Sequence, residues 1–167
     1  MPLDKDKLQE DILAALNKVN EEGLQKEDLG TLLGDAYSLY VSTVVAGPGM
    51  PIFTGKESSL FGETVAAALT TPGIPISLPT ALFTALTSFW MAPVVLFGPP
   101  PIVGAPAPPI APDFISILTV LLSVPGNLPE DVATAIADQL DLATKSIIVT
   151  FTAPPPPAGP PPAGPLS

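Results

Sequence analysis

Proline decides what this chain can fold into. Twenty-four of its 167 residues are proline, and each one removes a backbone donor and fixes φ, so it breaks a helix interior or a central strand. The prolines cluster in AGPGMP (46–51), TPGIPISLP (71–79), APVVLFGPPPIVGAPAPPIAP (92–112) and the C-terminal stretch from residue 153. What remains between them is a series of short windows. The longest proline-free apolar runs are TALFTALTSFWMA (80–92) and FISILTVLLSV (114–124), and both fall short of the roughly 20 residues that a membrane-spanning helix requires. The start, MPLDKDKLQEDI, is charged and amphipathic and does not read as a signal peptide. The expectation is a chain of short helices with no membrane role, joined by extended proline-rich crossings.

The residue types narrow the chemistry further. There is no Cys and no His, and all six cations are Lys. Disulfides, thiolate or imidazole metal sites, and catalysis by Cys or His are therefore excluded. A net charge of −10 without any Arg argues against binding a phosphate backbone. The charge is also unevenly spread. Residues 1–63 hold eleven acids and five Lys, whereas residues 64–129 hold one charged side chain, Asp113. A middle that apolar is expected to be buried in protein.

No catalytic pattern emerges. GMPIFTGKES (49–58) has five residues between its glycines, and Glu57 follows Lys56, where a phosphate loop needs four and then Ser or Thr. DKDKLQED (4–11) lacks the glycine turn and ligand spacing of a calcium loop. The pairs Glu27–Asp28 and Glu130–Asp131 sit in first turns of expected helices, where acids complement the helix dipole. No nucleophile elbow and no dinucleotide fingerprint appears. The reading is a protein that is not an enzyme and has no cofactor or metal.

Periodicity places the elements. Leu8, Ile12, Leu16 and Val19 give a first helix that stops at Gly23. Leu29, Leu32, Leu33, Tyr37 and Tyr40 give a second, which runs into a β-branched STVV (42–45). A short helix starts at Ser59, and Leu82, Phe83, Leu86, Phe89 and Trp90 face one side of the next. The crossing 92–112 is extended, with room for one short strand. DFISILTVLL starts on Asp113 as N-cap, and NLPEDVATAIADQLDLATK carries a capping box at Asn127 and Glu130. SIIVTFT (146–152) is the clearest strand, with Ile147, Val149 and Phe151 on one face. The predicted core comprises Leu29, Leu33, Tyr37, Leu82, Leu86, Phe89, Trp90, Ile117, Leu121, Ile136, Leu140, Ile147 and Val149.

A shift of 103 residues lays EDLGTLLGDAYSLYVSTVV (27–45) on EDVATAIADQLDLATKSII (130–148). Glu27/Glu130, Asp28/Asp131, Thr31/Thr134, Asp35/Asp138 and Leu39/Leu142 are identical, and Gly23 meets Gly126 without a gap. The match implies an internal repeat of a helix–helix–strand unit. It also sets Gly30 and Gly34 against Ala133 and Ala137. Two glycines inside a helix weaken it by about 1 kcal/mol each relative to Ala, so they are expected to serve a close approach, and Gly30 and Gly34 are named as interface residues.

The fold expectation is α+β and mainly helical. A first helix–helix–strand unit spans 1–46, an apolar Pro/Gly-punctuated helical insert 47–111, a second unit 112–152 and a Pro-rich arm 153–167. Capped helices ending in DAYSLYVSTVV or DQLDLATKSIIVTF, followed by Pro/Gly-rich extended segments, resemble small structural proteins of tailed-bacteriophage virions. The resemblance covers the two repeat units and is one of style, with no functional residue to carry over. It implies a non-catalytic virion subunit, assembled in the host cytoplasm, in the tail, neck or baseplate. A capsid cement protein is the next reading, and its partners would be other virion proteins and copies of itself.

The arm completes the expectation. Eight of residues 153–167 are proline: Pro154, Pro155, Pro156, Pro157, Pro160, Pro161, Pro162 and Pro165. Such a run defaults to polyproline II and loses little entropy on docking. It is expected to lie on a neighbouring subunit, reaching about 45 Å at the polyproline rise. Its PxxP spacings also fit a binding module for a partner domain, although Lys145 is the last cation.

Overall fold

The computed structural model describes residues 3–42, 45–46, 50–53, 59–70, 77–91, 94–96, 102–151 and 164–165. Among them it is mainly helical with an antiparallel sheet, in line with an α+β chain. The first helix, α1 (Lys5–Glu22), starts where the Asp4 carboxylate accepts the Lys7 N–H at 3.0 Å. It buries Leu8, Ile12 and Ala15 and ends on Gly23 at φ 63°, a left-handed turn that glycine adopts without strain. The second, α2 (Lys26–Val41), begins with the Asp28 carboxylate accepting the Gln25 N–H at 2.9 Å. Two helices follow in the apolar middle, α3 (Ser59–Thr70) and α4 (Leu78–Met91). The last two are α5 (Phe114–Leu122) and α6 (Pro129–Lys145).

Proline sets one boundary one residue away from the expected place. Pro129 occupies the first position of α6, where its missing N–H is not needed and its fixed φ suits the helix. The cap therefore moves from Asn127 and Glu130 to Leu128 and Asp131, whose carboxylate accepts the Leu128 N–H at 3.3 Å. Asn127 instead donates through Nδ2 to the Leu121 carbonyl. Asp113 stands at the N-cap of α5 but makes no side-chain capping bond.

Among the described residues, six short strands form one antiparallel sheet in chain order: β1 (Val45–Ala46), β2 (Met50–Phe53), β3 (Val94–Leu96), β4 (Ile102–Pro106), β5 (Ile148–Phe151) and β6 (Gly164–Pro165). Of the strand expected from 42–45, Val45 lies in β1, whereas Ser42 still caps α2 through its bond to the Leu39 carbonyl; residues 43 and 44 lie outside the described residues. The crossing 92–112 supplies two strands rather than one, paired Val94 to Gly104 and Leu96 to Ile102. Strand β4 then pairs with β5. On β5 the alternation is as expected where the side chains are described: Val149 is buried and Ile148 is 44% exposed.

Two helices followed by two strands thus occur three times along the chain, in α1–β2, α3–β4 and α5–β6. One hydrophobic cluster draws on all six helices and on Ile147 and Val149. At its centre Tyr37, Trp90 and Thr144 come from α2, α4 and α6, the second helix of each set. Trp90 Nε1 donates to Tyr37 Oη at 2.7 Å, and that hydroxyl shares a 2.8 Å bond with Thr144. The Tyr37 ring stacks on Phe61 at 4.4 Å and meets Phe89 edge-on at 5.4 Å. A buried polar group must be paired to be tolerated, and here the pairing ties the three second helices together.

Burial corrects three members of the predicted core. Leu29 is only partly buried against it. Ile117 and Leu121 are 38% and 41% exposed. The other ten, from Leu33 to Val149, are all buried.

Candidate assembly surface

The residues singled out as an interface fall in three places. Gly30 and Gly34 are buried in α2, and the close approach that Gly30 serves is internal. A Cβ on Gly30 would stand 2.7 Å from both Ala66 Cβ and Ala66 N, and 2.8 Å from the Gly62 carbonyl oxygen. A Cβ on Gly62 would stand 2.7 Å from the Gly30 oxygen. These glycines let α2 and α3 of the same chain touch backbone to backbone. They are not part of an outward surface.

The proline arm is placed only at its end. Gly164 pairs with Val149 and Pro165 with Ile148, so β6 lies against β5 of its own chain. That differs from the expected docking on a neighbour. The physical reason is that β5 offers a free edge, and proline can occupy an edge strand. Pro154, Pro155, Pro156, Pro157, Pro160, Pro161 and Pro162 lie outside the described residues.

The surface that sequence reasoning missed is α5. Only Phe114 and Leu118 of this helix are buried, with the Phe114 ring 5.3 Å from that of Phe83 on α4. At 3.6 residues per turn, Ile117, Val120 and Leu121 share a second arc roughly a quarter turn away. Ile117 is 38%, Val120 65% and Leu121 41% exposed. Val124 and Leu128, in the turn that follows, are 51% and 60% exposed. Asn127 fastens this turn to the last turn of the helix. Ile115, 36% exposed, lies on the other side of the buried Phe114–Leu118 stripe and is not part of this arc. The five side chains of the arc and its following turn amount to about two and a half fully exposed aliphatics, so covering them is worth roughly 5 kcal/mol. Residues 114–129 contain no charged side chain.

Elsewhere the described exterior carries ion pairs alongside scattered exposed apolar side chains, among them Leu39, Met91, Ile110 and Leu142. Lys7 reaches Asp11 at 2.6 Å and Lys5 reaches Asp138 at 2.7 Å, and these carboxylates hold both ammonium groups above their ordinary pKa. Tyr40 donates to Asp141 at 2.6 Å, and Lys145 bonds the same carboxylate. Burial first, and then Asp141, push the Tyr40 phenol well up, while burial does so for Tyr37. A shallow groove of about 270 Å³ between α1 and α2 is floored by Ala15, Ala36 and Leu32 and includes Lys18 and Leu39. Among the described residues no helix is long and apolar enough to cross a membrane, and no cluster of three or more acids could hold a metal.

Comparison with known proteins gives no relative: no family model matches the chain, and no similar curated protein or solved structure is found.

Proposed function

We propose that the chain is a structural, non-catalytic subunit of a tailed-phage-like particle, a component of its tail, neck or baseplate. The observation that carries the reading is the uncharged outer arc of α5. A large contiguous apolar patch on a chain of net charge −10 marks a protein–protein surface. The style of the repeat units supplies the class of assembly. The alternative of a free proline tail offered to a partner domain is disfavoured by the return of Gly164–Pro165 to β5.

The reading includes an internal repeat. At the shift of 103 residues, Gly30, Leu33, Gly34, Tyr37, Tyr40 and Val41 of α2 correspond to Ala133, Ile136, Ala137, Leu140, Ala143 and Thr144 of α6, and all twelve are buried. Gly23 and Gly126 are the two positive-φ glycines among the described residues. Asp28 and Asp131 cap in the same way, and Thr31 and Thr134 each bond the carbonyl four residues back. We take the α3–β4 segment as a third, diverged copy of a helix–helix–hairpin unit. Small units repeated in one chain suit a particle component whose task is to fill and tile.

Genomic context tests the class directly. Neighbouring genes for terminase, portal or sheath proteins are expected. A neighbourhood of metabolic or regulatory genes would contradict the proposal.

A further inference from the structure

We infer that α5 is the face through which two copies of this chain pair, α5 against α5, about a twofold axis. The inference deepens the assembly reading by naming the surface and its occupant.

The surface is the arc of Ile117, Val120 and Leu121, continued by Val124 and Leu128. Its five exposed aliphatics present roughly 450 Å² of apolar area, within the range of the largest patch on a soluble monomer. Two such patches face to face remove about 900 Å² from water, and the Ser116, Thr119 and Ser123 rim brings the total toward the roughly 1,200 Å² where specific interfaces begin. The patch is stiff, because Phe114 and Leu118 anchor one side of the helix in the core and Asn127 ties down the following turn. Little ordering entropy is then lost on docking.

Charge selects the occupant. Each copy carries −10, so two copies repel each other over most of their surfaces. Residues 114–129 carry no charge and are bounded by Asp113 and Glu130, so the arc itself sets no like charges against its own image. A twofold contact is also self-complementary, since each patch supplies both sides. A partner recognised by charge would find nothing to read here.

The test uses the full chain. Sedimentation equilibrium at micromolar concentration is expected to give twice the 17.1 kDa chain mass. Val120→Asp places a carboxylate at a 65% exposed position, so folding is retained and the mass falls to that of one chain. Because the native chain has no Cys, a lone Val120→Cys thiol is expected to cross-link the pair on oxidation, whereas Glu10→Cys is not. A wild-type chain that sediments as a monomer would overturn the inference. So would an assembly that Val120→Asp leaves intact, or one that cross-links through residue 10 and not 120. The outcomes separate from the virion reading: a dimer absent from particles sinks only that reading, and a monomer found in particles sinks only this one.

Discussion

Replacing Gly30 with Ala tests whether the α2–α3 seam is as tight as its geometry requires. In an open helix the change gains about 1 kcal/mol through propensity alone. Here the added methyl would meet Ala66 Cβ and Ala66 N at 2.7 Å and the Gly62 oxygen at 2.8 Å. Two of those three atoms are backbone and cannot swing aside. Ordinary contact starts near 3.4 Å, so the helices must part by on the order of half an ångström or more, which forfeits a quarter or more of the dispersion along the seam. The stacked pair Tyr37–Phe61, at 4.4 Å, lies on that seam and is loosened with it. Overpacking of this kind costs about 1–3 kcal/mol, which outweighs the propensity gain. The expected net loss is about 1 kcal/mol, or a fall of roughly 2–4 °C in Tm for a chain of this size. Gly62→Ala should act in the same direction. Since both changes open one seam, the double variant should lose less than the sum. Thermal unfolding followed by circular dichroism reads all three. A Gly30→Ala chain that melts at or above the wild type would refute the argument.

Tyr37→Phe keeps the ring against Phe61 and Phe89 but removes the acceptor used by Trp90 Nε1 and the partner of Thr144; a loss of about 1–3 kcal/mol is expected, and an unchanged denaturation midpoint would count against the network. The two tyrosines both have phenols raised above 10.0 in the folded state, so their contribution is complete below that value and is lost as pH rises above it, toward the folded pKa values. Phenolate absorbance should then appear together with unfolding in an alkaline titration, and a phenolate signal from the still-folded chain would contradict the burial. Asp4→Ala removes the cap of α1 and should lower stability by about 1 kcal/mol, visible as a reduced Tm without loss of helicity at 25 °C.

Legibility in the sequence followed the number of independent signals at each site. The long helices α1, α2 and α6 each combine a cap with an apolar stripe, and their buried positions Leu33, Tyr37, Ile136 and Leu140 were predictable. Helix α5 defeated the same reasoning because FISILTVLL is apolar round most of its circumference. Phe114–Leu118 and Ile117–Leu121 are both stripes at spacing four, and periodicity alone cannot say which one faces inward. Only the position of α4 and α6 decides it. The pair Gly30 and Gly62 shows the opposite limit. One glycine signalled a close approach, but its partner lies 32 residues further on, and local pattern holds no information about such pairing. The strands β3 and β4 were hidden by the prolines around them, since Pro106 ends an interior strand, where proline is disfavoured and composition argues against a strand. For the same reason the α3–β4 segment read as an insert, although it has the element order of its neighbours.

The central claim, that this chain is a building block of a phage-like particle, is tested most directly by quantitative mass spectrometry of density-purified particles from cultures that produce it. The account predicts peptides from residues 5–22 and 129–145 in the particle band, at a fixed ratio to the other structural proteins. Recovery of the chain in the soluble fraction alone, with none in washed particles, would contradict it.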